Sequence, residues 1–392
     1  MFEDLKNTLL NGKEEKKVEY LELIYDLIFV YIIGRNSSLV HHIENGFIDP
    51  DLFFTYVLCT LIVIQIWNYT NFYVNRFGSN GLQEHLLILV NMYLLYFMAD
   101  STRLNWHDYY YRYNIAWALI LLNLFINYYI EYRRSMRTKP WEIFQIKSTL
   151  LMLGIQIAVI VISLPVFSKT GLPLSPLAMV FGIAYTVVTS KINDLLPVDF
   201  GHLSERAMLY IVFTFGEMII AISGYFEGDF GFETVYFSLM GFLIVVGLFQ
   251  SYEVFYDHLI DREMITSGTS YMTVHLFLIF SLNNITMALE FMREPEVDLF
   301  AKTVFLAGSF VVYYVFLYLL GLFTKAKARP TAKFIAIVAA ILIMFAILMV
   351  ILRTNMYVNI ALTVILVFGN LFNILRAKKT YVKACAVCKE QP

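Results

Sequence analysis

Two carboxylates stand inside the first apolar stretch of this sequence. Glu22 and Asp26 are four residues apart, and a third carboxylate, Glu217, lies inside an apolar stretch of the second half. Residues four apart share one helical face, so Glu22 and Asp26 are expected side by side. A charged side chain at the bilayer centre costs at least ~2.5 kcal/mol on the insertion scale, so a cation, a proton or a partner side chain is expected at these carboxylates.

Polar side chains recur in other apolar stretches of the chain. Carboxylates, amides and imidazoles carry protons and cations in membrane pumps and transporters, which is the functional interpretation. The competing interpretation is that each side chain only joins two helices through a hydrogen bond or an ion pair. The predicted transport or ion pathway comprises Glu22, Asp26, Gln65, Asn68, His85, Glu217, Gln250 and His275.

The motif His202-Leu-Ser-Glu205-Arg206 stands where the seventh apolar stretch begins. We expect a structural role for it, namely a helix cap and an ion pair at the membrane interface. The pair Cys385-Ala-Val-Cys388 offers two ligands, whereas a structural zinc ion takes four. No catalytic residue, metal site or cofactor is therefore predicted.

The elements that must position these residues are transmembrane helices. Apolar residues make up 59% of the 392 positions and charged residues 15%, whereas a soluble chain is typically about 25% charged. A helix needs about 20 apolar residues to cross the hydrocarbon core. The sequence therefore predicts an all-α polytopic membrane protein with about 12 transmembrane helices. These helices are predicted at residues 20–40, 51–72, 82–99, 111–131, 147–166, 174–192, 203–225, 232–257, 268–290, 298–323, 331–352 and 355–376.

The placement of lysine and arginine predicts how the helices are oriented. With the N-terminus inside, 22 of the 29 Lys and Arg residues fall in segments on the cytoplasmic side, as the positive-inside bias requires. Both termini are then cytoplasmic, and we expect a multi-pass protein of the cell membrane. The net charge of -2 provides no basic surface, so nucleic acid is not expected as a partner.

The two halves of the chain share an order of polar residues. Asp26 precedes His85 by 59 positions, and Glu217 precedes His275 by 58. An even number of helices in each half gives parallel repeats about an axis along the membrane normal, and transporters built this way bind substrate between the repeats. The predicted organisation is a cytoplasmic tail at 1–19, six-helix repeats at 20–192 and 193–376, and a cytoplasmic tail at 377–392.

Three stretches resemble the signatures of a known family. The stretch Val18–Val30 (VEYLELIYDLIFV) is similar to the W-x-E-L-x-F-D-L-V-F-V opening of the bacterial low temperature requirement A (LtrA) family, although Tyr20 stands where a Trp is common. His202–Arg206 (HLSER) and Phe215–Ala221 (FGEMIIA) are similar to its H-x-x-E-R and G-E-x-I-x-A motifs. The resemblance covers residues 18–376 and implies a membrane protein linked to growth in the cold, with a poorly defined biochemical role.

A second resemblance is to the endosomal and lysosomal potassium/proton channel family, whose two six-helix repeats each open with F-S-D-x-x-F-A. Tyr25–Phe29 (YDLIF), Trp67 and Asn91 are similar in kind and order to residues of that family, although the Ser before the Asp is missing here. By this analogy, and from the buried carboxylates, we expect a channel or transporter that moves a cation, a proton or a small solute.

Two other functions stay open. The first is a membrane-embedded enzyme acting on a lipid or isoprenoid. The residues available to it as acid, base and phosphate contact are Asp199, His202, Glu205 and Arg206. The second is a sensor or scaffold linked to growth in the cold, in which the buried charges only hold helices together. Membrane lipid is the expected partner in each case, and the sequence allows a homodimer.

Overall fold

Helices dominate the part of the chain that the structure describes, as the sequence predicts. The computed structural model describes residues 17–389 apart from 45, 103–105, 139–141, 227–228 and 326–327, and it describes no side chains at 106–107, 137–138 and 380–389. The first half contains α1 (Tyr20–Ser37), α2 (Pro50–Phe77), α3 (Leu82–Ser101), α4 (Trp106–Thr138), α5 (Ile143–Thr170) and α6 (Pro176–Val188), then a short helical turn at Ser190–Asn193. An antiparallel hairpin of β1 (Ile43–Glu44) and β2 (Phe47–Ile48) joins α1 to α2.

Six further helices form the second half. They are α7 (Phe200–Ser223), α8 (Phe232–Val254), α9 (Thr269–Arg293), α10 (Leu299–Leu319), α11 (Ala332–Ile351) and α12 (Met356–Lys389). Three of them continue into a turn of another helical type, at Gly224–Phe226, Phe255–Leu259 and Leu320–Phe323. The order of α1–α12 follows the order of the predicted helices, with ends that differ by several residues.

Ten helices in the described part of the chain are long and apolar enough to cross a membrane. The helix α1 has 18 residues but carries Glu22, Asp26 and Arg35, and α6 is apolar but has only 13 residues. The protein is therefore an all-α polytopic membrane protein. The predicted count of twelve spans and the predicted cytoplasmic side of both termini stay predictions.

Side-chain caps and proline set where the helices of the functional region begin. Pro50 occupies the first turn of α2, and the Asp49 carboxylate accepts a hydrogen bond from the Asp51 N–H at 2.7 Å. At the start of α7, the Asp199 carboxylate accepts from the His202 N–H at 3.1 Å. Such caps satisfy backbone donors that have no partner within the helix. They fix the angular position of every side chain that follows.

The helices of the two halves pack in similar pairs. The helix α1 contacts α2 and α3, and then α3 contacts α4, α4 contacts α5, and α5 contacts α6. Likewise α7 contacts α8 and α9, and then α9 contacts α10, α10 contacts α11, and α11 contacts α12. Contacts of α7 with α1 and α2, and of α9 with α2, join the halves. We call the end of the bundle marked by Tyr20, Phe77 and Phe200 the inner end.

The two predicted tails have different outcomes. Most of the predicted N-terminal tail, residues 1–16, lies outside the described residues. The predicted C-terminal tail at 377–392 is helical as far as it is described, because α12 continues to Lys389. Its Ala and Lys residues favour a helix, which explains the extension. The side chains of Cys385 and Cys388 lie outside the described residues.

Candidate functional site

The guanidinium of Arg206 in α7 holds the carboxylate of Asp26 in α1. Arg206 Nε donates to Asp26 Oδ2 at 3.1 Å, and Nη2 donates to Oδ1 at 2.5 Å. Two parallel bonds from one edge of an arginine are the strong form of an arginine–carboxylate pair. Asp26 is 0% exposed and Arg206 is 2% exposed, so water does not compete for this pair.

Glu22 reaches the same arginine from the preceding turn of α1. Arg206 Nη1 donates to Glu22 Oε2 at 2.5 Å, and His202 Nε2 lies 3.3 Å from that oxygen. His202 and Arg206 are four residues apart in α7, as Glu22 and Asp26 are in α1, so two helical faces of matching spacing meet. We call Glu22, Asp26, His202 and Arg206 the charge cluster.

Asn75 of α2 fixes which nitrogen of His202 carries the proton. The backbone N–H of Asp199 donates to Asn75 Oδ1 at 2.9 Å, which turns the amide Nδ2 toward His202 Nδ1 at 3.1 Å. An amide N–H only donates, so His202 Nδ1 accepts and the ring proton sits on Nε2, facing Glu22. The Nε2–H of the imidazole therefore lies beside the Glu22 carboxylate, 3.3 Å from Oε2, without forming a hydrogen bond to it.

Trp67 of α2 contacts the charge cluster through Asp26. The indole N–H donates to Asp26 Oδ1 at 2.8 Å, and the Trp67 ring meets Tyr210 edge-on with 4.5 Å between ring centroids. Beside it, the Tyr25 hydroxyl contacts the Thr70 hydroxyl at 3.0 Å. The helices α1 and α2 of the first half and α7 of the second are thus joined through one hydrogen-bonded unit near the inner end.

A cavity lies on another face of α2. Gln65, Tyr69, Phe72 and Arg76 recur at helical spacing and share that face, about 160° away from Trp67. The cavity consists of two adjoining volumes of about 40 Å³ each, and Tyr69 and Phe72 line both. The helices α4, α5 and α6 form other walls of the first volume, and α6 and α9 form other walls of the second.

Several buried polar atoms at this cavity have no hydrogen-bond partner within the described part of the chain. They are Arg76 Nε and Nη2 and Gln145 Oε1 in the first volume, and Asn68 Oδ1 in the second. The Arg76 guanidinium lies 5.3 Å from the centroid of the Phe72 ring, and it interacts with Tyr128. Buried polar groups are normally hydrogen-bonded, so unmet donors and acceptors at one cavity mark a place where a ligand or water binds.

The absence of a side chain at Gly182 lets α6 approach this face of α2. A Cβ there would contact the amide of Gln156 and the hydroxyl of Tyr69, and it would lie 2.8 Å from Gln65 Nε2. Both glutamines donate to backbone carbonyls of α6, at 3.1 Å from Gln65 and 2.9 Å from Gln156. Gly182 therefore keeps a wall of amide and hydroxyl groups at the middle of the bundle.

Glu217 lies apart from the charge cluster. At 1.5 Å per residue from the starts of α7 and α1, it stands ~16 Å farther along the bundle than Asp26. Its half-buried carboxylate packs on α1, where a Cβ on Gly34 would lie 3.6 Å from Oε2, and Glu290 of α9 interacts with it electrostatically. The structure does not bring Asp26 and Glu217 together, and the route predicted through both stays a prediction.

The predicted residues of α3, α8 and α9 lie elsewhere. His85 is half-exposed at the start of α3, where its Nε2 contacts Asn80 Oδ1 at 2.9 Å. Gln250 is exposed on α8, because the next position, Ser251, is the one that faces inward. His275 is buried in α9, and its Nε2 contacts the Tyr252 hydroxyl at 3.0 Å. The structure brings none of these three to the charge cluster or to the cavity.

The motif at the start of α7 was expected to form a helix cap and an ion pair at the membrane interface. Its Arg206 forms an ion pair, which is buried between helices because α1 presents two carboxylates to it, and the placement at the interface stays a prediction. Glu205 is half-exposed and takes no part in the charge cluster. A membrane enzyme would need His202 and Arg206 to face a substrate, whereas both are engaged with Glu22. Among the described residues, no group of three His, Cys, Asp or Glu side chains is arranged to hold a metal ion.

The sequence predicted no site role for Arg76 or Gln145, although both line the cavity. Arg76 counted only among the positive charges predicted on the cytoplasmic side. The signal that identifies it is position, because Arg76 follows Gln65 by three helical turns on one face of the same apolar span. Gln145 has no comparable signal, since it lies in a different helix and reaches the cavity only through packing.

Comparison with known proteins places the whole region within one family. A family sequence model described as bacterial low temperature requirement A protein (LtrA) matches residues 17–369. That range contains the charge cluster, the cavity, the helices α1 to α11 and the beginning of α12. No curated protein and no solved structure matches the chain.

Proposed function

The chain belongs to the bacterial low temperature requirement A family, and from that premise we propose that it transports a small solute across the cell membrane. The cavity beside α2 is the solute site in this proposal. The charge cluster is the contact that the two halves of the protein make and break during transport.

The observation that carries the proposal is the set of unmet polar atoms at the cavity. A bundle that served only as a scaffold gains nothing from leaving Arg76, Gln145 and Asn68 with unused donors and acceptors, because each costs free energy in a low-dielectric interior. A transporter needs such groups, since they replace the water that a solute loses on entering the membrane. Ionisable residues within spans typically mark such pathways.

The place of the charge cluster supports its role as the contact between halves. Asp26 and Trp67 belong to the first half, and Arg206 and His202 to the second. In repeat-built transporters, one structural unit rocks against the other around a fixed site. Opening this contact would free Asp26 from Arg206 and expose it to a proton or a cation, which is how the predicted carboxylates would take part in transport.

The pairing of helices supports the proposal of two six-helix repeats at 20–192 and 193–376. Each half begins with a helix that contacts the next two, and then its remaining helices pack in sequence. In addition, α2 contacts α6 as α8 contacts α12. The polar residues are less alike than the helices, since Gln65 is buried and Gln250 is exposed. The polar cavity accordingly lies against α2 of the first half, and α9 of the second half contributes a wall to it.

Transport can be tested without knowing the solute. A variant with Asn68→Cys in a background where Cys59, Cys385 and Cys388 are Ser is reconstituted in vesicles and labelled with a charged thiol reagent from either side. A transporter exposes position 68 to each side in turn, so we expect labelling from both sides. Labelling from neither side or from one side only contradicts the proposal.

A flux measurement tests whether the charge cluster takes part in transport. Vesicles are assayed for uptake of rubidium, phosphate and succinate, with a pH-sensitive dye for protons. We expect Asp26→Asn to lower the initial rate for the transported species at least about tenfold, equivalent to about 1.4 kcal/mol, because an amide cannot hold Arg206 by charge. The matched control is Asp100→Asn, at a carboxylate 45% exposed, which should keep the rate of the unmodified protein.

A further inference from the structure

We infer that the ligand of the cavity carries an anionic group, a carboxylate or a phosphate, and that Arg76 binds it through its Nε and Nη2. Nothing in the family match or in the predicted pathway assigns a role to this arginine. The inference deepens the proposed transport function, on which it rests for the statement that this anion is the transported solute.

The two unmet nitrogens of Arg76 belong to one edge of the guanidinium. Nε–H and one Nη2–H point in parallel, and this edge matches the two oxygens of a carboxylate or phosphate. The chain itself contains the occupied form of the same geometry, since Arg206 uses Nε and Nη2 for the two oxygens of Asp26. The Arg76 edge has no such partner within the described part of the chain.

The surroundings of Arg76 favour a charged ligand over a neutral one. No Asp or Glu is among the described residues that line the cavity. Asp194 interacts with Arg76 electrostatically, but it is exposed and does not line the cavity. Arg76 is half-buried, and the buried Nε and Nη2 of its guanidinium bind no carboxylate in the described part of the chain, so an anion in the cavity would supply the missing charge partner.

The walls limit the rest of the ligand. Phe72, Met152 and Leu153 form an apolar side, and Gln145 and Tyr185 provide an amide and a hydroxyl. The free space at this part of the cavity is about 40 Å³, which admits a compact anionic group and little more. The chemistry therefore fits a small organic anion with a compact body. A soluble carboxylate or phosphate ester has this chemistry, and the phosphate headgroup of an anionic lipid shares it.

Binding to the full chain in detergent tests the inference separately from transport. Melting temperature is measured with potassium phosphate or sodium succinate, and with potassium chloride at equal ionic strength. A second arm adds phosphatidylglycerol or phosphatidylcholine and counts bound lipid by native mass spectrometry. We expect phosphate, succinate or phosphatidylglycerol to bind and stabilise the protein, whereas chloride and phosphatidylcholine do not.

Four variants connect that binding to Arg76. Arg76→Gln should weaken binding at least about tenfold, because a charge-assisted pair is lost. Arg76→Lys keeps the charge but loses the two-point edge, so it should bind with intermediate affinity. Met152→Trp leaves all charges in place and fills the cavity, so it should also prevent binding. Arg133→Gln removes an exposed arginine at the inner end, and it should bind like the unmodified protein.

Each result decides the inference. Stabilisation by phosphate or succinate that Arg76→Gln and Met152→Trp both remove supports a soluble anion, and the same pattern with phosphatidylglycerol alone supports a lipid headgroup. Failure of all three probes, or equal binding to Arg76→Gln and the unmodified protein, overturns it. If the protein binds the anion but position 68 is labelled from one side only, the anion site is supported and transport is rejected. If position 68 is labelled from both sides but no anion binds, transport is supported and the anion site is rejected.

Discussion

Arg206 of α7 lies against one face of α2, and Arg76 lies on another face of α2 itself. The two guanidinium groups offer the same edge, but only that of Arg206 is bound by carboxylates in the described part of the protein. Around Arg206, Asp26 and Glu22 accept every bond that its Nε, Nη1 and Nη2 donate. Around Arg76, the protein supplies an aromatic face and a tyrosine but no carboxylate among the residues that line the cavity. One arginine is satisfied by the fold, and the other keeps Nε and Nη2 without a partner in the described part of the chain.

The difference separates a structural ion pair from a binding site in a single chain. A buried ion pair breaks at high cost when one partner is removed, whereas an unpaired buried charge costs free energy while it stays. Removing Arg206 should therefore harm the fold, and removing Arg76 should harm only binding.

The largest effect is expected from Arg206→Met. It leaves Glu22 and Asp26 buried without their counter-ion, which should lower stability by about 3–5 kcal/mol. The measurement is the melting temperature of the purified protein, with recovery of folded protein from the membrane as a second readout. Adding Glu22→Gln and Asp26→Asn to this variant should restore part of the loss, because no buried charge then lacks a partner. If the triple variant is no more stable than Arg206→Met, the loss is not electrostatic.

A smaller loss of stability is expected from Trp67→Phe. The phenyl ring keeps most of the contact with Tyr210, but Asp26 Oδ1 loses the indole N–H. A lost hydrogen bond to a charged group costs about 1.5–3 kcal/mol. The control is Trp117→Phe, whose buried indole N–H has no partner within the described part of the chain. Equal destabilisation by the two substitutions would show that ring size, and not the bond to Asp26, is responsible.

Arg76→Met is expected to leave stability without ligand within about 1 kcal/mol of the unmodified protein, or to raise it. The substitution is the same as at Arg206, so side-chain volume and loss of charge are matched. The comparison is read from the two melting temperatures in buffer without phosphate or carboxylate. A loss at Arg76 as large as that at Arg206 would mean that the fold itself satisfies this arginine.

The smallest effect concerns a half-exposed pair between His41, which lies in the segment between α1 and α2, and Glu290 near the end of α9. The Glu290 carboxylate accepts a hydrogen bond from the imidazole of His41, with Nε2 and Oε2 3.1 Å apart, and this bond raises the pKa of His41 above 6.5. A raised pKa in the folded protein contributes stability below pH 6.5 that is lost as the pH rises through the folded pKa. The side chains are 47% and 30% exposed, so the contribution should stay below about 1 kcal/mol. The difference in melting temperature between the unmodified protein and His41→Gln should shrink from about pH 6 to about pH 8. A difference that is constant over this range contradicts the assignment.

The fold was predictable because hydrophobic length is a local property. Each apolar stretch of about 20 residues forms a helix wherever it is placed, since a membrane requires its backbone groups to bond within the segment. Two elements were harder. The helix α1 carries three charged residues within its 18, and α6 is short at 13 residues. Neither reveals from sequence alone whether it crosses the membrane.

The site was predictable only where its residues lie on one helix. The spacing of Glu22 and Asp26 placed both on one face of α1, and the motif that begins at His202 was expected at the start of a helix. The partnership of Asp26 with Arg206 joins residues 180 positions apart, and helical periodicity says nothing of which face of α7 meets α1. For the same reason His85 and Gln250 were grouped with residues that packing places elsewhere.

The most direct test of the account is a high-resolution map of the protein purified in phosphate buffer and of the same protein in chloride. The account predicts non-protein density across Nε and Nη2 of Arg76 in phosphate, while Arg206 keeps Asp26 and Glu22 in both maps. A map in which a side chain of the protein occupies the Arg76 edge, or in which the cavity is closed by packing in both buffers, would contradict it.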